Sequence, residues 1–299
     1  MYTSFKQIEE AVLARGGRKR LALAASADDV TLESVVEAQH KGIIEAQLIG
    51  DKDKTAGILK ELGEDPDQYL IIDEPDPIKA IHIACGRVKD GDADMPMKGL
   101  MQSADYLRAI LDKNYGFIPE RGMLTEATVF EFGGRLITAT DCAVVISPDY
   151  NEKVKILNNA VRFCHELDFE CPKVAVITPV ETVNPKIQST IDAAMLTMAN
   201  KRGQIKGCIV DGPLALDNAI SLEAAKHKGI ESEVAGFADI LLLPDLDSGN
   251  LMLKAIIHMM NTVSSSNMIG TTIPVVMTSR SDTPENKYNS ILTADVRVH

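Results

Sequence analysis

Short aliphatic and β-branched runs alternate with longer amphipathic stretches from about residue 20 to the end of the chain, and this rhythm restricts the fold more than any other feature. Strands separated by helices run parallel in one sheet, so the pattern predicts an α/β protein with largely parallel strands. RLALAAS (Arg20 to Ser26) reads as a first strand and VTLESVVEAQHKG as the helix after it. IIEAQLIGD, YLIIDEP and a short strand before Lys98 continue the pattern, with DKTAGILKELG and PIKAIHIACGRVKDG as helices. Gly at the helix ends and Asp or Ser at the starts are suitable caps.

The rhythm breaks between Leu124 and Pro148, where TEATVFEFGGRLITATDCAVVISPD offers two or three strands and no helix. Gly133-Gly134 predicts a hairpin there, and a domain transition is expected nearby. The alternation resumes with NEKVKILNNAVRFCHELDF as a helix. KVAVITPV, GCIVDGP, ADILLLPD and TIPVVMTSR follow as strands, with IQSTIDAAMLTMANKR, NLMLKAIIHMM and ENKYNSILTADV as helices. At 299 residues the chain exceeds the usual single core, which favours two domains sharing a cleft.

The formal charge of -12 excludes nucleic acid as the main partner, because phosphate backbones require clustered Lys and Arg. An anionic ligand must then be held by a few placed cations and backbone N–H groups. The five cysteines (Cys85, Cys142, Cys164, Cys171, Cys208) contain no C-x-x-C pair, so buried reduced thiols are expected rather than disulfides or a zinc site. No metal is expected. The first 20 residues carry no apolar signal core, and no run of 18 apolar residues occurs, which predicts a cytoplasmic protein without a membrane partner. The nucleotide loops G-x-x-x-x-G-K-[ST] and G-x-G-x-x-G are absent, as are G-x-S-x-G and H-E-x-x-H. His40, His82, His165, His227, His258 and His299 flank no nucleophile and read as ordinary surface or core residues.

Ligands of open α/β sheets lie beyond the C-terminal ends of the strands. Four such ends carry chemistry. In ADMPMKGLMQSADYLRAIL, Lys98 and Gly99 end a strand, with Ser103 near a helix start and Arg108 in the helix. A cradle for phosphate or acyl phosphate fits these residues; an N-capping Ser and a solvated Arg are the alternative. In VDGPLALDNAIS, Asp211, Asp217 and Asn218 surround a loop, with Asp217 equally suited to capping a helix. Asp245, Asp247, Ser248, Gly249 and Asn250 form a polar turn lining the site. In TIPVVMTSRSDTPENKYNSI, Ser279 and Arg280 end a strand ahead of Asp282, Glu285 and Asn286. The guanidinium suits a carbonyl oxygen gaining charge or a departing phosphate, which makes this the best catalytic candidate.

Together these segments resemble the phosphate acetyl/butyryltransferase family, closest to its butyryltransferase branch. The resemblance is carried by ADMPMKGLMQSADYLRAIL, NPKIQSTIDAAMLTMANKRGQIKGCIVDGPLALDNAIS, EVAGFADILLLPDLDSGNLMLK and GTTIPVVMTSRSD, in register over nearly the whole chain. It implies two doubly wound α/β domains around a cleft, like isocitrate and isopropylmalate dehydrogenases. Residues 1–138 plus 278–299 would form the first domain and 139–277 the second, the C-terminal segment crossing back. It also implies short-chain acyl transfer, butyryl preferred over acetyl, between coenzyme A and inorganic phosphate in a ternary complex, with coenzyme A as substrate and no cofactor. The substrates would be butyryl-CoA or acetyl-CoA, phosphate and acyl phosphate, and the protein a homo-oligomer.

The family's catalytic Ser-Arg falls on Ser279 and Arg280, and its substrate-binding Ser and Arg on Ser103 and Arg108; Lys98, Gly99, Asp211 and Asn250 complete the expected substrate contacts. The family's candidate base position falls on Asn286, which accepts no proton in that role. Asp282 is the nearest replacement and Glu285 the next; phosphate or water are the other choices. A metal-dependent decarboxylating dehydrogenase of the same fold and a non-catalytic coenzyme A or acyl phosphate sensor are the competing classes.

Overall fold

The computed structural model describes residues 1–298; His299 lies outside the described residues. In chain order the elements are α1 (Phe5–Arg15), β1 (Lys19–Ala24), α2 (Asp29–His40), β2 (Ile44–Gly50), α3 (Lys52–Glu61), β3 (Leu70–Asp73), α4 (Pro77–Lys89), β4 (Met95–Lys98) and α5 (Ser103–Ile110). Next come β5 (Thr125–Phe132), β6 (Arg135–Thr140), α6 (Tyr150–Glu166), β7 (Lys173–Ile177), α7 (Gln188–Lys201), β8 (Ile209–Leu214), α8 (Leu216–Ile220) and α9 (Leu222–His227). β9 (Ile240–Leu242), α10 (Leu246–Lys254), β10 (Ser264–Ile269), β11 (Val275–Val276) and α11 (Pro284–Asp295) complete the chain. The mixed α/β class and the Gly133-Gly134 hairpin agree with the sequence. Both glycines have positive φ, 59° and 76°, the conformation a two-residue turn between twisted strands requires.

Two compact units are present. One consists of Phe5–Leu124 and Ser264–His299, the other of Met1–Ser4 and Thr125–Val263. Both borders lie earlier in the chain than 138/139 and 277/278. The reason is strand pairing: β6 of the hairpin pairs in parallel with β9, and β10 pairs antiparallel with β11 and packs on α11.

In the unit containing residues 5–124 the strand order is β3-β2-β1-β4-β11-β10, parallel except for β10. β10 was not foreseen, because SSSNMI lacks the β-branched character that marks a strand. Nor was α1, whose Phe5, Ile8 and Val12 are buried at helical spacing. In the other unit the order is β5-β6-β9-β7-β8, and a capping box starts α6: Asp149 accepts from the Glu152 N–H at 2.8 Å, and Glu152 accepts from the Asp149 N–H at 2.9 Å. Four cysteines are buried, whereas Cys171 is exposed, unlike the expectation of buried thiols throughout.

α11 is unusual in being buried on nearly every side although more than half its residues are polar. Its polar groups satisfy β10. The Asn286 Oδ1 accepts the Ser264 N–H at 2.9 Å, the Ser290 Oγ accepts the Ser266 N–H at 2.9 Å, and the Asn267 Nδ2 donates to the Thr293 Oγ1 at 2.6 Å. Positions 286, 290 and 293 share one helix face, so the polar stripe is a hydrogen-bonding surface for β10, added to the strand's pairing with β11.

The end of β4 lies close against the end of β1. The Gly99 N–H donates to the Ala24 carbonyl at 2.8 Å, and a Cβ on Gly99 would stand 2.3 Å from the Ala25 oxygen. The Gly99→Ala variant is therefore expected to lose about 1–3 kcal/mol of stability through forced separation of the two strand ends. Urea unfolding checks this, and an unchanged midpoint would contradict it.

Candidate functional site

β4 lies between β1 and β11, with Ala24 beside Lys98 and Val276 beside Met97, all parallel. Three neighbouring strands therefore release their chains at the same edge. β1 leads to Asp28 at the start of α2, β4 ends at Lys98, and β11 runs on into Thr278, Ser279 and Arg280. Tyr106 of α5, fully buried, has its hydroxyl 3.1 Å from the Pro96 carbonyl and 3.0 Å from the Val276 carbonyl, joining β4 to β11.

The turn after β11 is organised by Asp282 and Lys287. The Asp282 Oδ2 accepts the Ser279 N–H at 2.6 Å, while its Oδ1 is buried with no hydrogen-bond partner. Lys287, 2% exposed, donates from Nζ to the Thr278 Oγ1 at 3.1 Å and the Ser279 carbonyl at 3.0 Å. The Ser279 and Ser281 hydroxyls are 3.1 Å apart. Arg280 is exposed and forms no ion pair among the described residues, and the Asp282 carboxylate binds backbone.

Lys98 is also 2% exposed, its Nζ reaching only the Gly99 carbonyl at 3.4 Å. Burial pushes its ammonium down to about 8, the positive charges of Lys287 and Arg280 push the same way, and Asp28 and Asp282 oppose them. Lys287 is likewise held below its ordinary value by burial, against the pull of Asp28 and Asp282. The strand edge thus gathers three cations (Lys98, Lys287, Arg280) and two carboxylates (Asp28, Asp282), a net positive cluster in an acidic protein. Such a cluster attracts an anion of two charges.

The remaining candidates are placed differently. Gly99 is filled in by the carbonyls of Ala24 and Ala25, so its missing side chain serves strand packing. Ser103 is exposed at the first position of α5. Arg108 is exposed and bound to Asp105 at 2.6 Å; five residues separate it from Ser103, which puts the two on different helix faces. Glu285 is exposed in the first turn of α11. Asn286 is committed to β10.

In the other unit the Asp211 Oδ1 accepts the Gly212 N–H at 2.9 Å, and the Asn250 Nδ2 donates to the Cys142 carbonyl at 3.2 Å. Asp217 pairs with Lys228 at 3.0 Å rather than capping a helix, while Asp245 caps α10 through the Ser248 N–H at 2.9 Å. That unit also holds a cavity of about 840 Å³ beyond β7 and β9. Asp149, Asp192 and Asp245 line it opposite Lys153, whose ammonium is already bound to Asp192 at 2.6 Å. This acidic cavity repels phosphate. No group of three or more His, Cys, Asp or Glu side chains is gathered as a metal site would need, among the described residues.

Sequence reading missed Lys287 and Asp28. Lys287 sits in a polar helix that reads as solvent-facing, and Asp28 reads only as a helix cap. The signal for Asp28 is positional, since it shortly follows the end of β1, whereas Lys287, in the first turns of α11, carries none. The Lys98→Met variant is expected to be more stable than the parent by about 1–4 kcal/mol at neutral pH in phosphate-free buffer. The folded value of Lys98 lies below 10.5, so the unfolded chain binds more protons between about 8 and 10.5, and parental stability rises with pH there. The advantage of the variant must shrink over that window; a variant less stable than the parent at pH 7 would contradict the reading.

Comparison with known proteins accords with this geometry. The model of the phosphate acetyl/butaryl transferase family matches residues 74–294. The chain is 44% identical to a phosphate butyryltransferase of Clostridium acetobutylicum over 296 residues, 98% of each sequence. It is 41% identical to a phosphate acetyltransferase of Thermotoga maritima, covering 95% of this chain and 97% of that one. Among solved structures, a branched-chain phosphotransacylase from Enterococcus faecalis superposes with a TM-score of 0.83 at 28% identity, over 94% of this chain and all of the other. With the family model spanning most of the chain and relatives above 40% identity along nearly its full length, this protein belongs to the phosphate acetyl/butaryl transferase family.

Proposed function

We propose that the protein reversibly transfers a short acyl group, butyryl by preference, between coenzyme A and inorganic phosphate, with both substrates bound together. The observation that carries this reading is the net positive strand edge of Lys98, Arg280 and Lys287, with Asp282 presenting one buried, unpartnered carboxylate oxygen beside Ser279. A doubly charged leaving group, an oxyanion and a proton all need a place in this chemistry, and these side chains supply each.

Taken toward the thioester, the coenzyme A thiol gives its proton to Asp282 and the thiolate sulfur attacks the carbonyl carbon of the acyl phosphate. A C–S bond forms. The carbonyl π electrons move to oxygen, giving a tetrahedral oxyanion beside Arg280 and the Ser279 hydroxyl. As the oxyanion collapses, the bond to the phosphate oxygen breaks and phosphate departs with the electron pair toward Lys98. In reverse, a phosphate oxygen attacks the thioester and the leaving thiolate recovers the proton from Asp282. The positive charge comes from side chains, so no metal or cofactor is assigned a step.

Ser103 and Arg108 are retained as phosphate contacts, Arg108 only by exchanging Asp105 for the ligand. Gly99 is retained for its place between Lys98 and α5, and Asp211 and Asn250 as substrate contacts of the other unit. The reading includes two α/β domains of the isocitrate and isopropylmalate dehydrogenase type, a cytoplasmic location and a homo-oligomer. Acetyl transfer is the second reading, favoured by the nearly equal identities to the butyryl and acetyl enzymes. One methylene in an apolar pocket discriminates by only about 1–3 kcal/mol, so mixed chain-length specificity is expected.

Purified protein with butyryl-CoA and phosphate is expected to release free thiol, and acetyl-CoA to do so more slowly. Arg280→Ala should lower kcat by about 100-fold or more through loss of oxyanion stabilisation. Absence of thiol release with both thioesters contradicts the function, and an undiminished Arg280→Ala rate contradicts the role of that residue.

A further inference from the structure

Lys287 takes no chemical step in the reaction above, yet its ammonium is removed from water and bound to the segment that carries Ser279 and Arg280. We propose that Lys287 is a positioning residue for phosphate acyl transfer: it fixes the Ser279–Arg280 strand end from α11 and places a second buried positive charge behind Lys98. This inference rests on the proposed reaction.

Three observations support it. The two acceptors of Lys287, the Thr278 hydroxyl and the Ser279 carbonyl, are neutral, and neither requires a full charge to be satisfied. No salt bridge engages Lys287 among the described residues, so its charge is not consumed by a carboxylate in contact. Burying an ammonium for structure alone is costly, and a well-packed apolar residue would serve a purely structural helix better.

The charged groups around it account for a functional use. Asp28 faces it from the start of α2, Asp282 from the turn before α11, and Lys98 from the end of β4, with Arg280 bearing on Lys98 from the strand end. The excess of one positive charge is matched and exceeded by a phosphate of two negative charges. Binding then relieves the repulsion between the lysines, while the hydrogen bonds of Lys287 hold the backbone that carries the Ser279 hydroxyl and the Arg280 side chain.

The test compares the parent with Lys287→Met, which removes the charge at similar length, and Lys287→Arg, which keeps it. Lys287→Met is expected to lower kcat by about 10-fold or more. It also relieves Lys98 of a like charge, so the alkaline rise in KM for phosphate must begin at higher pH than in the parent. KM for butyryl-CoA should change little. Lys287→Arg is expected to return the alkaline limb to its parental position. A folded Lys287→Met protein with parental kcat and an unmoved limb overturns the proposal, as does equal loss in both variants with an unmoved limb.

Circular dichroism establishes folding of each variant. Should Lys287→Met not fold, Thr278→Val removes one acceptor and leaves the charge. It is expected to lower kcat with the limb in place, and a parental rate overturns the proposal. Failure of the parent itself to release thiol from butyryl-CoA or acetyl-CoA is a separate outcome that overturns the reaction.

Discussion

The ammonium groups of Lys98 and Lys287 are both withdrawn from water within reach of each other's charge, and much of the unit that carries them is arranged to make this tolerable. Removing an ion from water costs several kcal/mol even after relaxation, and two like charges add to that cost. Asp28 and Asp282 offset it from two directions. Neither carboxylate is free to move. Asp28 accepts a hydrogen bond from Thr31, and Asp282 is fastened to the Ser279 N–H. The residual stress is retained at the strand edge where an anion would relieve it, a pattern typical of sites that sacrifice stability for function.

Holding Lys287 in place requires α11 to be held in place, and the surrounding elements do so with polar groups. β10 is tied to its inner stripe. From the other side Arg15 of α1 pairs with Asp295, whose carboxyl burial pushes up to about 6 despite that partner. Lys41 joins Glu9 at 3.0 Å and Glu37 at 2.9 Å and lies 4.4 Å from the centre of the Tyr288 ring, linking α1, α2 and α11. The net charge of -12 is thus no obstacle to anion binding, since the cations that matter are fixed locally.

How far the sequence disclosed this depends on which physical signal each residue carried. The βα rhythm revealed the class and most elements, because hydrophobic periodicity records which face of an element is buried. Lys98, Ser279, Arg280 and Asp282 were legible because chemistry in open α/β sheets gathers after strands. Lys287 was not, nor was the burial of α11, although ENKYNSILTADV reads as a helix. Tyr288, Ile291 and Leu292 mark one buried stripe, but the polar residues of ENKYNSILTAD that meet β10 look like a solvated face. β10 itself was hidden for the complementary reason, since its Ser and Asn residues pair with that helix. Asn286 is intelligible in the same terms: its amide oxygen is needed by the Ser264 N–H.

The account depends most directly on phosphate being bound by a buried lysine that is partly neutral near its shifted value of about 8. Calorimetric titration of the parent with inorganic phosphate at about pH 8.5, in buffers of differing ionisation enthalpy, measures the protons exchanged on binding. Net proton uptake that disappears in Lys98→Met is the predicted result. Binding with no proton uptake, or with the same uptake in Lys98→Met, would contradict it.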